Sequence, residues 1–198
     1  HALYVTETDD VTFTGLTVNK AGGNALYITK AGTKANISDF AIGTTTSAAV
    51  RLYDGVNLSL TDGTIQTSAY GIYMEGSAVA DATNVKITRT ASNANTLIVV
   101  KGTSHLTMSN NSNGESCVDG NKSAGYIGRG VEVQGTFILN GGNIINNQIT
   151  ADTEGAVITA NKSDGAAVYV VAGGTFTMNG GALQSNQAKN AGAAVAVN

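Results

Sequence analysis

The sequence predicts an all-β chain wound as a parallel β-helix, a solenoid of about seven to eight coils, and three observations predict it. A short block of alternating residues recurs along nearly the whole chain. A second alternating block follows each copy of the first, and glycine, aspartate or asparagine marks the corners after it. The 198 residues also include 25 Gly, no Pro and no Trp, a composition that suits many short strands with tight corners better than amphipathic helices.

The first strand of each coil reads small, apolar, any, apolar, any. It opens at Ala2-Leu-Tyr-Val-Thr and returns at Ala25-Leu-Tyr-Ile-Thr, Ala49-Val-Arg-Leu-Tyr, Gly71-Ile-Tyr-Met-Glu, Gly130-Val-Glu-Val-Gln, Ala167-Val-Tyr-Val-Val and Ala194-Val-Ala-Val-Asn, with a looser copy around Leu97 to Lys101. The second strand is apolar, polar, apolar, as in Val11-Thr-Phe-Thr-Gly, Leu58-Ser-Leu-Thr-Asp and Phe176-Thr-Met-Asn-Gly. A third apolar position falls seven residues after that block begins, at Val18, Ile42, Ile65, Ile87, Ile144 and Leu183; in the fifth coil Asn113 breaks the rule. Period-two alternation gives each block one buried face, and the corner residues are those that tolerate left-handed backbone.

The first three intervals are 23, 24 and 22 residues, and later ones are longer. Segments 109–129 and 148–164 therefore read as loop insertions within a single domain spanning 1–198, because a stacked coil lets a loop bulge outward without disturbing its strands. Stacked coils put equivalent residues about 4.8 Å apart. Leu3, Leu26, Val50, Ile72, Val131, Val168 and Val195 should form one inward column, Val5, Ile28, Leu52, Met74, Val133, Val170 and Val197 a second, and Phe13, Ile37, Leu60, Ala82, Met108, Leu139 and Met178 a third. The lack of proline fits strands that hydrogen-bond on both edges.

Composition also narrows function. Eleven Lys and Arg against fourteen Asp and Glu leave a net charge of −3, so the basic surplus of a nucleic-acid binder is missing. No apolar run is long enough for a transmembrane segment. A single cysteine, Cys117, excludes an intrachain disulfide and a multi-thiolate metal site. Neither a catalytic residue, a metal nor a cofactor is assigned from the sequence.

Function must then reside on outward columns. Tyr4, Tyr27, Arg51, Tyr73, Glu132 and Tyr169 should share one height on the first strand, with Tyr53 one pleat along from Arg51. Tyr4, Tyr27, Arg51, Tyr53 and Tyr73 are the candidate ligand-binding residues, since aromatic rings and a guanidinium can stack on sugar rings or on a partner's surface. The competing reading is a ladder that only stabilises stacking. Glu7, Lys30, Asp54 and Lys101 read as a neighbouring column of alternating charge. Asp39 and Asp62 occupy equivalent corners, with Gly15 before and Asn84 after; paired carboxylates there could share a proton or hold Ca²⁺, although a tight corner wants the same residues. Lys86 and Arg89, a strand further on, could neutralise a uronate. His105 reads as a solvated residue, and Cys117 as an incidental thiol in a polar insert. Thr12, Thr107 and Thr177 repeat on an outer face, but Asn36, Ser59, Asp81 and Ile138 interrupt the lattice an ice-binding surface needs.

The strand-and-corner grammar resembles the pectin-lyase-like right-handed parallel β-helix superfamily over nearly the whole chain. More narrowly, Phe137-Ile-Leu-Asn140 and Phe176-Thr-Met-Asn179 are similar to the Phe-x-x-Asn motif of polymorphic outer-membrane proteins and related bacterial surface adhesins. Gly165-Ala-Ala-Val168 and Gly192-Ala-Ala-Val195 resemble the partner motif of those families, with Ala in the second Gly position. The resemblance implies right-handed winding and an extracellular passenger segment of an autotransporter-like adhesin. Its partners would be a host or microbial surface ligand such as a glycan, or another copy of itself. A polysaccharide lyase or hydrolase is the rival. No polar cap sequence flanks the first or last strand, so a segment of a longer surface protein, with export signal and anchor elsewhere, is the expectation.

Overall fold

The computed structural model describes residues 1–6, 10–92, 95–150 and 164–198, and their architecture is a parallel β-solenoid of about seven turns. The described secondary structure is strand throughout, apart from a single 3₁₀ turn at Lys122–Ala124. Among the described residues, no helix is long and apolar enough to cross a membrane.

The first strand of every coil stacks into one sheet of eight parallel strands: Leu3–Val5, Leu26–Ile28, Ala48–Leu52, Tyr70–Met74, Ile98–Val100, Val131–Val133, Val168–Val170 and Val195–Val197. Leu26 pairs with Leu3 on one side and Val50 on the other, as the repeat spacing requires. The looser copy is a full member, with Ile98 between Ile72 and Val131.

The second and third blocks share an eleven-stranded sheet. In three successive coils they are one bent strand each, Lys34–Thr45, Asn57–Thr67 and Val79–Arg89. The bends fall at Asp39, Asp62 and Asn84, with φ of 52°, 53° and 51°. A single left-handed residue turns the chain by a corner while pairing continues on either side, and short polar side chains tolerate that conformation best. The first coil makes the same corner with Gly15 at φ 74°.

All three predicted inward columns are present, and a fourth is completed by a residue the spacing rule misses. Val118, not Asn113, fills the fifth coil's slot, pairing with Ile87 below and Ile144 above. The expected insertion at 109–129 is thus two excursions around a strand, Cys117–Asp119, the first of them the loop 110–116. Most of the other expected insertion, 151–163, lies outside the described residues. Met178 and Val197, the last members of their columns, are exposed, whereas the middle coils bury a largely apolar core: Leu26, Leu52, Leu60, Ile65, Ile72 and Met74 are fully buried. Each contributes about 1.5–3 kcal/mol through apolar burial. Farther along, the Phe-x-x-Asn segments lie rung on rung, with the Phe137 and Phe176 rings stacked at 5.5 Å and Asn179 Nδ2 donating to Asn140 Oδ1 at 2.8 Å.

Candidate functional site

The outer face of the first sheet carries the predicted aromatic column, because alternation turns every second residue of these strands outward. Register aligns Tyr4, Tyr27, Arg51 and Tyr73 on consecutive rungs. The Tyr4 and Tyr27 rings are stacked, 5.2 Å apart and 7° from parallel, and His1 packs against both. Rings stacked along the ladder cover each other's faces and offer edges and hydroxyls to solvent. Tyr4, 54% exposed, is the most open of them. Tyr53 meets Tyr27 edge-on at 6.3 Å, and the Arg51 guanidinium lies 5.6 Å from the Tyr53 ring centre and 5.0 Å from that of Tyr73.

A carboxylate that sequence reasoning missed ties this strip together. Glu75 Oε2 accepts from Arg51 Nη2 at 2.9 Å, its Oε1 accepts from the Tyr73 hydroxyl at 3.3 Å, and Lys101 Nζ stands 3.9 Å from Oε1. Lys101 also lies 5.5 Å from the Tyr73 ring centre. The signal was its place two residues after Tyr73, which puts Glu75 on the rung between Tyr53 and Lys101; the backbone N–H groups of these three bond to successive coils in step. The predicted charge column is corrected accordingly. Lys101 belongs with Glu75 rather than Asp54, the ion pairs of the described residues do not include Lys30 or Asp54, and Glu7 lies outside the described residues. Partial burial alone would raise the Glu75 carboxyl, but hydrogen bonds from Arg51 and Tyr53 and the nearby cations outweigh it and hold it below its ordinary range.

Three members of the predicted outward column are not surface residues. Tyr73 is 7% exposed, Tyr169 1% and Glu132 fully buried. Tyr73 packs with Ala48, Val99 and Tyr70, and burial followed by the Glu75 charge pushes its phenol up to about 12. Higher on the stack, Arg129 folds across the sheet, its guanidinium 4.5 Å from the Tyr169 ring centre and its Nη1 3.0 Å from Glu132 Oε2. The same guanidinium donates to the carbonyls of Asp164 and Gly165. Burial raises the Glu132 carboxyl and lowers the Arg129 guanidinium despite their pairing. The strip open to a ligand is therefore the stretch from Tyr4 through Tyr27, Tyr53 and Arg51 to Glu75 and Lys101.

The corner carboxylates lie elsewhere, along a cleft of about 320 Å³ lined by Asp39, Asp62, Thr64, Asn84, Lys86 and Asn113, with Phe40 and Gly63 behind. Asp62 is not arranged for a cation. Asn84 and Asn111 donate to its Oδ1 at 2.7 and 2.9 Å, and Asn113 donates to its Oδ2 at 2.9 Å. Amide N–H groups aimed at the oxygens supply the positive end a metal would otherwise provide. Those bonds, the one from Asn111 foremost, hold the Asp62 carboxyl below its ordinary range, so it is poorly suited to share a proton with Asp39. Among the described residues no three His, Cys, Asp or Glu side chains converge on one point. Lys86 is exposed, as a uronate partner would need, but Arg89 is fully buried. It points into the solenoid, where its Nη2 donates to the Arg129 carbonyl at 3.0 Å beneath the side-chain-free Gly128.

His105 is half-buried beside the Thr107 hydroxyl at 3.4 Å. Cys117 sits in a strand rather than a loop, and burial together with Asp119 pushes its thiol up to about 11. Register confirms the interruptions in the threonine face, since Thr12 continues into Asn36, Ser59 and Asp81 before Thr107. No family model matches this chain, and neither a curated protein nor a solved structure matches it. The class the fold and site define is a parallel β-solenoid with a charged aromatic strip on one sheet and a polar cleft at the corner of the other.

Proposed function

We propose that the chain is a bacterial adhesin segment, cell-surface or secreted and of the autotransporter-passenger kind, that binds a host or microbial surface ligand along the strip from Tyr4 to Lys101. The observation that carries this reading is the order of that strip: phenols, a guanidinium, a carboxylate and an ammonium on consecutive rungs of one rigid sheet. Groups held about 4.8 Å apart by a backbone ladder lose little conformational freedom on binding, and weak contacts sum along the stack. Glu75, held ionised by two cations, suits a fixed partner for ligand hydroxyls or amides better than a proton donor. The test is binding of the chain to immobilised epithelial matrix proteins and to arrayed host and bacterial glycans, alongside the Tyr4→Ala/Tyr27→Ala/Tyr53→Ala variant. A tenfold or greater loss in the variant, with its circular dichroism unchanged, is the expected result. Equal binding by the variant overturns the reading.

A further inference from the structure

We propose that the corner cleft above Asp62 is a second binding site, separate from the aromatic strip, and that it takes a neutral saccharide presenting vicinal hydroxyls. The cleft draws on three consecutive coils and on loop 110–116, which reaches back over two of them. Its wall is fixed in advance. Asn111 and Asn113 are pinned to Asp62, Asn111 Oδ1 accepts from the Asn113 and Gly114 backbone at 2.9 and 3.2 Å, Asn110 Oδ1 accepts from Ser116 N at 3.0 Å, and the Ser116 hydroxyl donates to the Ser109 carbonyl at 2.7 Å. A wall braced in this way costs little further ordering when a ligand enters.

The groups left over at the mouth define the ligand. Asp39, Thr64 and Lys86 are exposed and make no side-chain hydrogen bond or ion pair within the described residues, so a carboxylate acceptor, a hydroxyl and an ammonium donor stand ready around one opening. Paired sugar hydroxyls both donate and accept, and satisfy such a mixture at once. Charge selects among saccharides: Asp39 and Asp62 against Lys86 leave the cleft one unit negative, which opposes a polyuronate and leaves a neutral chain unaffected. At about 320 Å³ the cleft is at the small end for ligand pockets and holds one or two sugar rings. A groove of about 350 Å³ shares Thr64 and continues past Gln66, Thr44 and Asn19, so a longer chain has a polar path to follow.

The experiment is isothermal titration of the whole chain with mannohexaose, cellohexaose, xylohexaose and hexagalacturonate. It is repeated with Asp39→Gly, which places at this corner the residue that Gly15 already supplies one coil below, with Lys86→Ala, and with the triple tyrosine variant. Expected are binding of at least one neutral hexasaccharide, weaker or no binding of hexagalacturonate, and a tenfold or greater loss in Asp39→Gly and in Lys86→Ala at unchanged melting temperature. The triple tyrosine variant should bind the neutral sugar as the parent does. Binding of none of the neutral sugars, preference for hexagalacturonate, or affinity untouched by both cleft substitutions overturns the proposal. Loss of the sugar only in the tyrosine variant would move the site to the strip, removing this proposal while leaving the adhesin reading intact.

Discussion

Asn113 Nδ2 donates to Asp62 Oδ2 at 2.9 Å across 51 positions of sequence, joining the loop of the fifth coil to a corner of the third. With Asn111 and Asn84 on the other oxygen, one carboxylate orders a whole excursion of the chain.

Replacement of Asp62 by Gly, which removes the carboxylate and accepts the left-handed corner at φ 53°, should therefore free loop 110–116 while sparing the solenoid. Backbone amides of that loop should lose at least tenfold in hydrogen-exchange protection, and those of Leu58–Leu60 should not change. Unchanged loop protection would show that the three amides are incidental. The pH dependence follows from the lowered carboxyl. A carboxyl held below its unfolded value stabilises the folded loop above the ordinary aspartate pKa of about 3.9, and the contribution disappears as pH falls through the lower folded value. An NMR titration should place Asp62 below the ordinary range, and Asn111→Ala should move it upward.

Gly63 faces the ring of Phe40 so closely that an added Cβ would lie 2.1 Å from Phe40 Cε1. Gly63→Ala should cost about 1–3 kcal/mol in urea unfolding, the range of an overpacked core. Phe40→Leu should recover part of that loss in the double variant. Strict additivity of the two changes would argue against a direct clash.

The Arg129–Glu132 pair is buried on both sides, with side-chain exposures of 2% and 0%. Removing either partner alone, as in Glu132→Ala, should destabilise by about 3–5 kcal/mol, because the other charge is stranded. The double change Arg129→Met/Glu132→Leu should cost much less than the sum of the single changes. Chemical denaturation of all three variants measures this, and a double variant as damaged as that sum would refute it.

Cys117, with its thiol near 11, should alkylate slowly with iodoacetamide at pH 8 and accelerate through pH 10 to 11. A rate at pH 8 matching that of free cysteine would contradict the burial.

Most of the fold was legible because its information is local and repeated. Alternation sets which side of each strand is buried, and the repeat interval sets which residues stack, so Leu3, Leu26 and Val50 could be placed in one column from spacing alone. The corners at Asp39, Asp62 and Asn84 were legible for a similar reason, since few residues accept left-handed backbone. What could not be read was anything that depends on what lies over a face. Alternation says that Glu132 and Tyr169 point away from the core; it does not say that Arg129 folds across them. Likewise the amides around Asp62 come from a loop whose path no periodicity governs, and Glu75 became visible only once the rung linking Arg51 to Lys101 was fixed.

The tyrosine ladder also gives the chain a built-in optical reporter. Tyrosine is its sole strong fluorophore, seven residues without a tryptophan, and Tyr4, Tyr27, Tyr53, Tyr70, Tyr73 and Tyr169 all belong to one side of one sheet. The ring pairs Tyr4–Tyr27, Tyr27–Tyr53 and Tyr70–Tyr73 lie 5.2, 6.3 and 5.0 Å apart, close enough for excitation to pass between neighbours before it is emitted. Transfer between these rings should end as the rungs separate, which lets unfolding of that side be followed in the ultraviolet without any added dye.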